Sequence, residues 1–218
     1  MEVYNILHYP HVLLKKVSTN VENFSSDLKD FMDVLTNSMY AFDGIGLAAP
    51  QVGVLKRICI VDVSPYLKNQ ELKEWHGEIE LFVSESKVLI DDFEWPLKLI
   101  NPKITEYNGE ILFPYDGCLS LPGMPRGVTR RHKQITVEAL LPDQRKITIK
   151  SDGILSICLQ HEIDHLDGLV FLDRLEKTFE DGVVLEYIKE FEEDKAYRRK
   201  IRKLKPINAR DKKFSFAT

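Results

Sequence analysis

Apolar positions in the first quarter of the chain recur at a helical period. Leu28, Phe31, Met32, Leu35 and Met39 lie three and four apart within residues 27–40, which predicts an amphipathic helix with one face on a core. Residues 44–53, punctuated by Gly44, Gly46 and Gly53, are expected to form a loop. The period then shortens. Ile58, Cys59, Ile60, Val61 and Val63 make a compact apolar run over 57–63, the mark of a buried strand, and Ser64-Pro65 ends it. Further strands are expected at 97–100, 104–107, 135–140 and 146–149, between Asn, Pro and Gly turn signals. The acidic stretch 70–94, which overlaps a surface insertion at about 66–92, predicts a hairpin-like excursion between core strands. Residues 151–166 give the clearest helix: Ser151 or Asp152 can cap its start, and Gly168 stands where a left-handed C-terminal cap is wanted. A last helix is expected over about 180–203. These elements predict a single α+β domain over residues 1–218, with short antiparallel or mixed strands wrapped around the central helix and a C-terminal helix at the end.

Size agrees with that picture, since 218 residues suffice for one well-cored domain and are too few for two comfortable ones. No apolar run approaches the ~20 residues a membrane helix needs, so no membrane partner is expected. No secretory signal is expected either, because residues 1–16 carry Glu2 early and lack an apolar stretch ending in a cleavage site. Cys59, Cys118 and Cys158 are an odd, sparse set, which points to a reducing cytoplasm and not to a disulfide framework. A net charge of −4 makes no general case for binding DNA. The charge is uneven, however. Residues 195–213 hold ten Lys or Arg against one acid, Asp211, a local charge of about +9. Solvated cations favour the C-terminal end of a helix dipole; they also suit contact with a polyanion, whose binding would be steeply salt-dependent.

The central helix carries His161-Glu162-Ile163-Asp164-His165. Side chains four apart share a helix face, so His161 and His165 can grip one metal ion while Glu162 handles the protons of a water beside it. Ile154, Ile157 and Cys158 continue the same stripe, giving the site an apolar wall. Buried without partners, such groups would cost several kcal/mol, about as strong a reason for a metal as spacing alone can give. A catalytic metal wants three protein ligands and an open position. A downstream Glu (Glu176, Glu186 or Glu190) would make the site that of a zinc endopeptidase. Cys118, held in the tight segment Asp116-Gly117-Cys118-Leu119-Ser120, is the better candidate, although a free cysteine is most often a small buried hydrophobe.

Three blocks in order resemble the peptide deformylase family: Gly44-Ile45-Gly46-Leu47-Ala48-Ala49-Pro50-Gln51, Asp116-Gly117-Cys118-Leu119-Ser120, and Gln160-His161-Glu162-Ile163-Asp164-His165-Leu166-Asp167-Gly168. The opening Ile6-Leu7-His8-Tyr9-Pro10 is similar as well, so the resemblance covers about residues 4–175. It implies a metal-dependent hydrolase that removes the formyl group from the N-terminal formyl-methionine of nascent peptides. By the same resemblance Cys118, His161 and His165 would bind one divalent ion, Fe2+ in the working enzyme, with Zn2+, Ni2+ or Co2+ able to occupy the site. Glu162 would accept and return the proton. Gln51 and the backbone N–H of Leu119 would steady the oxyanion. The peptide would add as a strand near Ile45, Gly46 and Gly117, and the methionine would enter a pocket made partly by Ile154, Ile157 and Cys158. A basic C-terminal segment in such an enzyme implies docking to the ribosome, with a tail that can be removed while small-peptide hydrolysis persists. Asp116 stands where the family has Glu, which implies altered support around the metal and not lost activity. Residues 123–126 also depart from the family pattern, and Arg131 is a candidate partner for Asp164. A relative that binds N-terminal peptides without catalysis is the remaining alternative; it would be favoured by the absence of Gln51, Cys118, Glu162 or either histidine, and all are present.

Overall fold

The computed structural model describes residues 1–217. In chain order its main elements are α1 (Ser26–Ala41), β1 (Gly46–Ala48), β2 (Ile58–Val61), the one-turn α2 (Ser64–Leu67), β3 (Ile79–Val83), β4 (Ser86–Val88), β5 (Leu97–Asp116), β6 (Gly127–Leu140), β7 (Lys146–Ser151), α3 (Gly153–Leu166), α4 (Asp181–Glu193) and α5 (Lys195–Leu204). All seven strands join one antiparallel sheet in the order β1-β2-β5-β6-β7-β3-β4. The fold is α+β, as the sequence pattern requires.

α3 lies against this sheet, and every residue from Ile154 to Leu166 is buried. Its apolar side chains pack with Val61, Leu97, Leu99, Val137 and Ile149 of the strands. At roughly 1.5–3 kcal/mol for each large apolar side chain taken from water, this core fixes the helix that bears the two histidines. A second core forms where α1 sets Phe31, Met32, Leu35 and Met39 against Leu47, Ile58 and Ile60. Gly168, at φ +75°, ends α3 in the left-handed conformation expected of it. The start differs from expectation. Ser151 belongs to β7, and Asp152, at the N-cap, turns its carboxylate to the Glu78 N–H instead of to the helix.

Other differences have local causes. Residues 44–53 are more than a loop: β1 pairs with β2, a tight turn over Ala49–Val52 comes next, and Gly53 closes it at φ +89°. The strands expected at 97–100 and 104–107 are one strand, because Asn101 and Pro102 lie at an irregularity in the ladder and do not end it. β6 starts at Gly127, eight residues before the expected strand. Its inward positions there are Thr129 and Arg131, both buried, so polar residues occupy places where a hydrophobic pattern looks for aliphatic ones. The 66–92 segment joins the sheet through β3 and β7 and buries Leu81 and Val83. The expected last helix breaks at Asp194, which takes extended backbone and caps α5 by accepting the Tyr197 N–H at 2.8 Å. Beyond α5 the chain returns over the N-terminal half: Ile207 N–H donates to Val3 at 2.9 Å, and Ala209 and Phe216 are buried with Phe31. This basic segment is therefore tied to the core.

Candidate metal centre and cleft

α3 supplies two of the three donors. Four residues apart on one face, His161 and His165 bring their rings to 5.0 Å between centroids. The third donor comes from the turn after β5, where Cys118 is half-buried and its Sγ lies 3.1 Å from His165 Nε2. One ligand atom from each of Cys118, His161 and His165 falls within 4.8 Å of the others, the one such cluster among the described residues. The His161 Nδ1 is held by Asp116 Oδ1 at 2.8 Å, leaving Nε2 as the metal-facing nitrogen. Burial, with His161 beside it, keeps the His165 pKa well below the ordinary imidazole range; burial presses on His161 in the same way, but Asp116 outweighs it and raises the pKa of that ring. Thiolate and imidazole together are a fitting set for one transition-metal ion.

Behind the ligands runs a buried ionic chain. Asp116 Oδ2 accepts from Arg131 Nη2 at 2.7 Å and from Thr129 at 2.9 Å. Arg131 Nη1 donates to Asp164 at 2.5 Å, and Asp164 also accepts from Arg174 Nη2 at 2.7 Å. The pairing of Arg131 with Asp164 agrees with the sequence expectation. The direct grip of Asp116 on His161 was not legible there. Burial alone would push the Asp116 carboxyl up, but His161 and Arg131 outweigh it and hold it well below the usual carboxylate range. The shorter side chain at this position therefore still reaches a metal-ligand candidate. Gln160 adds a second tie, bonding both the N–H and the C=O of His132 at 2.8 Å and so locking α3 to β6.

Glu162 sits next to the cluster, and its Oε2 is buried with no protein partner. Burial pushes its pKa up to about 7. Its Oε1 lies over Gly46, where any Cβ would collide with the carboxylate and stand 2.9 Å from Cys158 Sγ. The glycine of the first block is thus a steric requirement of the buried Glu162 side chain. Gln51 is buried too. Its Oε1 accepts the Ala48 N–H at 2.8 Å, which aims Nε2 at Ser120 Oγ (3.2 Å) and Cys118 Sγ (3.6 Å).

These groups open onto a cleft of about 920 Å³. Ile45, Gly46, Gln51, Gly117, Cys118, Leu119, Ile154, Ile157, Cys158, His161 and Glu162 all line it, so the sequence-nominated residues converge on one place, with His165 fully buried behind them. Burial, reinforced by Glu162, pushes the Cys158 thiol well above its ordinary range, and it serves as an apolar wall. The endopeptidase ligands do not converge. Glu176 pairs with Arg130 at 2.8 Å, and Glu176, Glu186 and Glu190 all lie outside the cleft lining. Sequence reasoning missed Trp75 and Tyr115 on one part of the lining and Tyr197 and Lys200 on another; nothing in their local sequence marks them as neighbours of the metal cluster.

An antiparallel sheet backing a buried His-Glu-x-x-His helix, with a cysteine as third donor, defines a metal-dependent hydrolase. Comparison narrows the class. The family model for polypeptide deformylase matches residues 3–180. A peptide deformylase of Thermodesulfovibrio yellowstonii is 39% identical over 175 residues, 80% of this chain and 90% of that one. The crystal structure of the Ehrlichia chaffeensis peptide deformylase in complex with actinonin superposes with TM-score 0.70 at 33% identity, covering 89% of this chain and all of that one. The Legionella pneumophila enzyme gives 0.64 at 30% identity over 93% and 95% of the two chains. The chain belongs to the peptide deformylase family.

Proposed function

We infer that this enzyme hydrolyses the N-formyl group of formyl-methionine at the start of newly synthesised proteins, releasing formate and a free amine. The observation that carries the reading is the convergence of Cys118, His161 and His165 within 4.8 Å, beside a buried Glu162, in a chain of this family. These three residues would hold one divalent ion. Bound there, such an ion supplies Lewis acidity and acidifies water at its open position.

The remaining chemistry falls to the chain's own groups. As water adds to the formyl carbon, Glu162 takes its proton at the unpartnered Oε2 and returns it to the nitrogen as the C–N bond breaks. Gln51, clamped by the Ala48 N–H, directs a neutral donor to the side where negative charge develops on the formyl oxygen, and the Leu119 N–H is the second donor. Loss of one such donor typically costs about 3 kcal/mol of barrier. β1 is an edge strand, so the backbone at Ile45 and Gly46, with Gly117 across the cleft, suits pairing with an extended peptide. Ile154, Ile157 and Cys158 form the apolar floor that receives the methionine.

The working ion in this reading is Fe2+, by family resemblance; the ligand set itself favours zinc over iron in affinity. The enzyme acts in the cytoplasm, where three free cysteines are at home. It also docks on the ribosome through the solvent face of α5, a reading supported by the exposed Arg198, Arg199, Arg202 and Lys203. Anaerobic purification, metal analysis and formate release from a formyl-methionyl peptide test the reading together. A protein containing one ion per chain that releases no formate would refute it. Loss of activity in air by the iron form, with persistence of a nickel form, is expected; equal lifetimes would count against iron.

A further inference from the structure

α4 and α5 lie beyond the segment matched by the family model, yet they reach the cleft. α4 is fastened to the loop after Cys118. Its Val184 and Ile188 are buried against Leu121, Leu7 and Leu14, and Gly123, at φ +77°, lets the backbone of Tyr187 approach so closely that a Cβ there would stand 2.7 Å from the Tyr187 oxygen. His8 Nδ1 adds a contact to Glu192 at 2.7 Å. After the break at Asp194, α5 runs to the opposite lip, where Lys200 Nζ bonds Asp43 Oδ2 at 2.6 Å and lies 5.9 Å from the Phe42 ring centroid. Asp43 directly precedes the Gly44-Ile45-Gly46 edge. The helix pair therefore bridges both lips, and the buried Ala209 and Phe216 anchor the chain beyond α5.

The surface it offers is aromatic. Tyr197, half-buried and lining the cleft, packs its ring 4.4 Å from Phe191. Trp75, from the 66–92 segment, lines the same cleft and stacks edge-on with Tyr115 at 5.8 Å. The charges of this stretch are already engaged, Lys200 by Asp43 and Asp194 by the Tyr197 N–H. Glu74 and Arg126, both exposed on the lining, are of opposite sign. Rings held in place lose little freedom on binding, and a second aromatic side chain gains from stacking on them.

We propose that Tyr197 is a specificity-determining residue, which with Trp75 offers aromatic faces to the first two peptide positions after formyl-methionine and favours a bulky apolar or aromatic side chain at one of them. The inference rests on the deformylase reading. The test compares kcat and KM of the metal-loaded full chain for formyl-Met-Ala-Ala, formyl-Met-Phe-Ala and formyl-Met-Ala-Phe. One of the two phenylalanine peptides should exceed the alanine peptide about five- to tenfold in kcat/KM, the range a single aromatic pair supplies. Tyr197→Ala should bring that ratio close to one through KM, Tyr197→Phe should retain it, and Lys189→Ala, on the exposed face of α4 and outside the cleft lining, should leave it unchanged. A wild type that releases formate from all three peptides without discrimination overturns the inference alone. So does a Tyr197→Ala variant that keeps the ratio or loses all three substrates equally. A wild type that releases no formate overturns the deformylase reading and this inference with it.

Discussion

The two ends of the cleft are built on different principles. At the metal end, Glu162, His161, His165, Asp116 and Arg131 are all buried, and each except Glu162 and His165 is fixed by at least one charged partner within 3 Å. Fit there is steric and electrostatic at once, as the glycine at position 46 shows. At the mouth, Trp75, Tyr115, Tyr197 and Lys200 are half-buried or exposed: Trp75 and Tyr115 meet ring to ring, Tyr197 packs on Phe191, and Lys200 is held by one ion pair with Asp43. Substitutions at the first end should act on chemistry or metal binding. At the second they should act on which peptide is chosen.

The sharpest way to break this contrast is Glu162→Gln. An amide cannot take the proton from water, so turnover should fall by about 100- to 10,000-fold while the metal stays bound. Formate release and metal content measured on the same sample decide it; near-wild-type turnover with a full site would remove Glu162 from its role. Gly46→Ala comes next. Its Cβ must displace the Glu162 carboxylate, and misplacing a reacting group by about 1 Å can cost on the order of 100-fold. The expected loss is in kcat, with folding retained; an unaffected kcat would mean that Glu162 has another productive position.

The metal end is legible in sequence and the mouth is not, because the two are assembled differently. His161, Glu162 and His165 sit on one helix whose period and chemistry are both local, and Cys118 and Gln51 belong to short blocks that carry the family resemblance. Asp116 stands out in sequence only as a departure from the family. Its function depends on β6 placing Arg131 inward and on α3 turning His161 toward it, contacts that no local pattern encodes. The same applies to Tyr197, which is 79 residues from Cys118 in sequence and reaches the cleft only because Asp194 breaks the last helix. α5 reads as a basic segment because its cations are numerous, while its cleft-lining residues, Ala196, Tyr197 and Lys200, are few and include one of those cations. The break itself has a signal, an aspartate able to cap the next helix, but helical apolar spacing continues on both sides and masks it.

Asp116→Asn tests the support behind the ligands. The asparagine keeps the shape but weakens the hold on His161 and leaves Arg131 with Asp164 as its one anionic partner. Loss of such an outer partner typically lowers metal affinity about 10- to 100-fold. Competition with a graded series of chelators should reveal that loss. Undiminished affinity would show that α3 packing alone orients His161.

The smallest expected effect lies at the mouth, in Lys200→Ala. The ion pair with Asp43 is partly exposed, with side-chain exposures of 35% for Lys200 and 84% for Asp43, so its contribution to stability should be no more than about 1 kcal/mol. What it does hold is the distance between α5 and the lip that bears Gly44-Ile45-Gly46. KM for a formyl-methionyl tripeptide should therefore rise about two- to fivefold at low ionic strength, with kcat and metal content unchanged, an effect of the size expected for one surface pair. At about 1 M salt, where screening acts within about 3 Å, wild type and variant should converge. A large fall in kcat from this single surface change would mean that the mouth transmits strain to Glu162 and that the two ends are not independent. An unchanged KM at low salt would mean that the anchoring of α4 on Gly123 and Leu121 positions the wall without help from the ion pair.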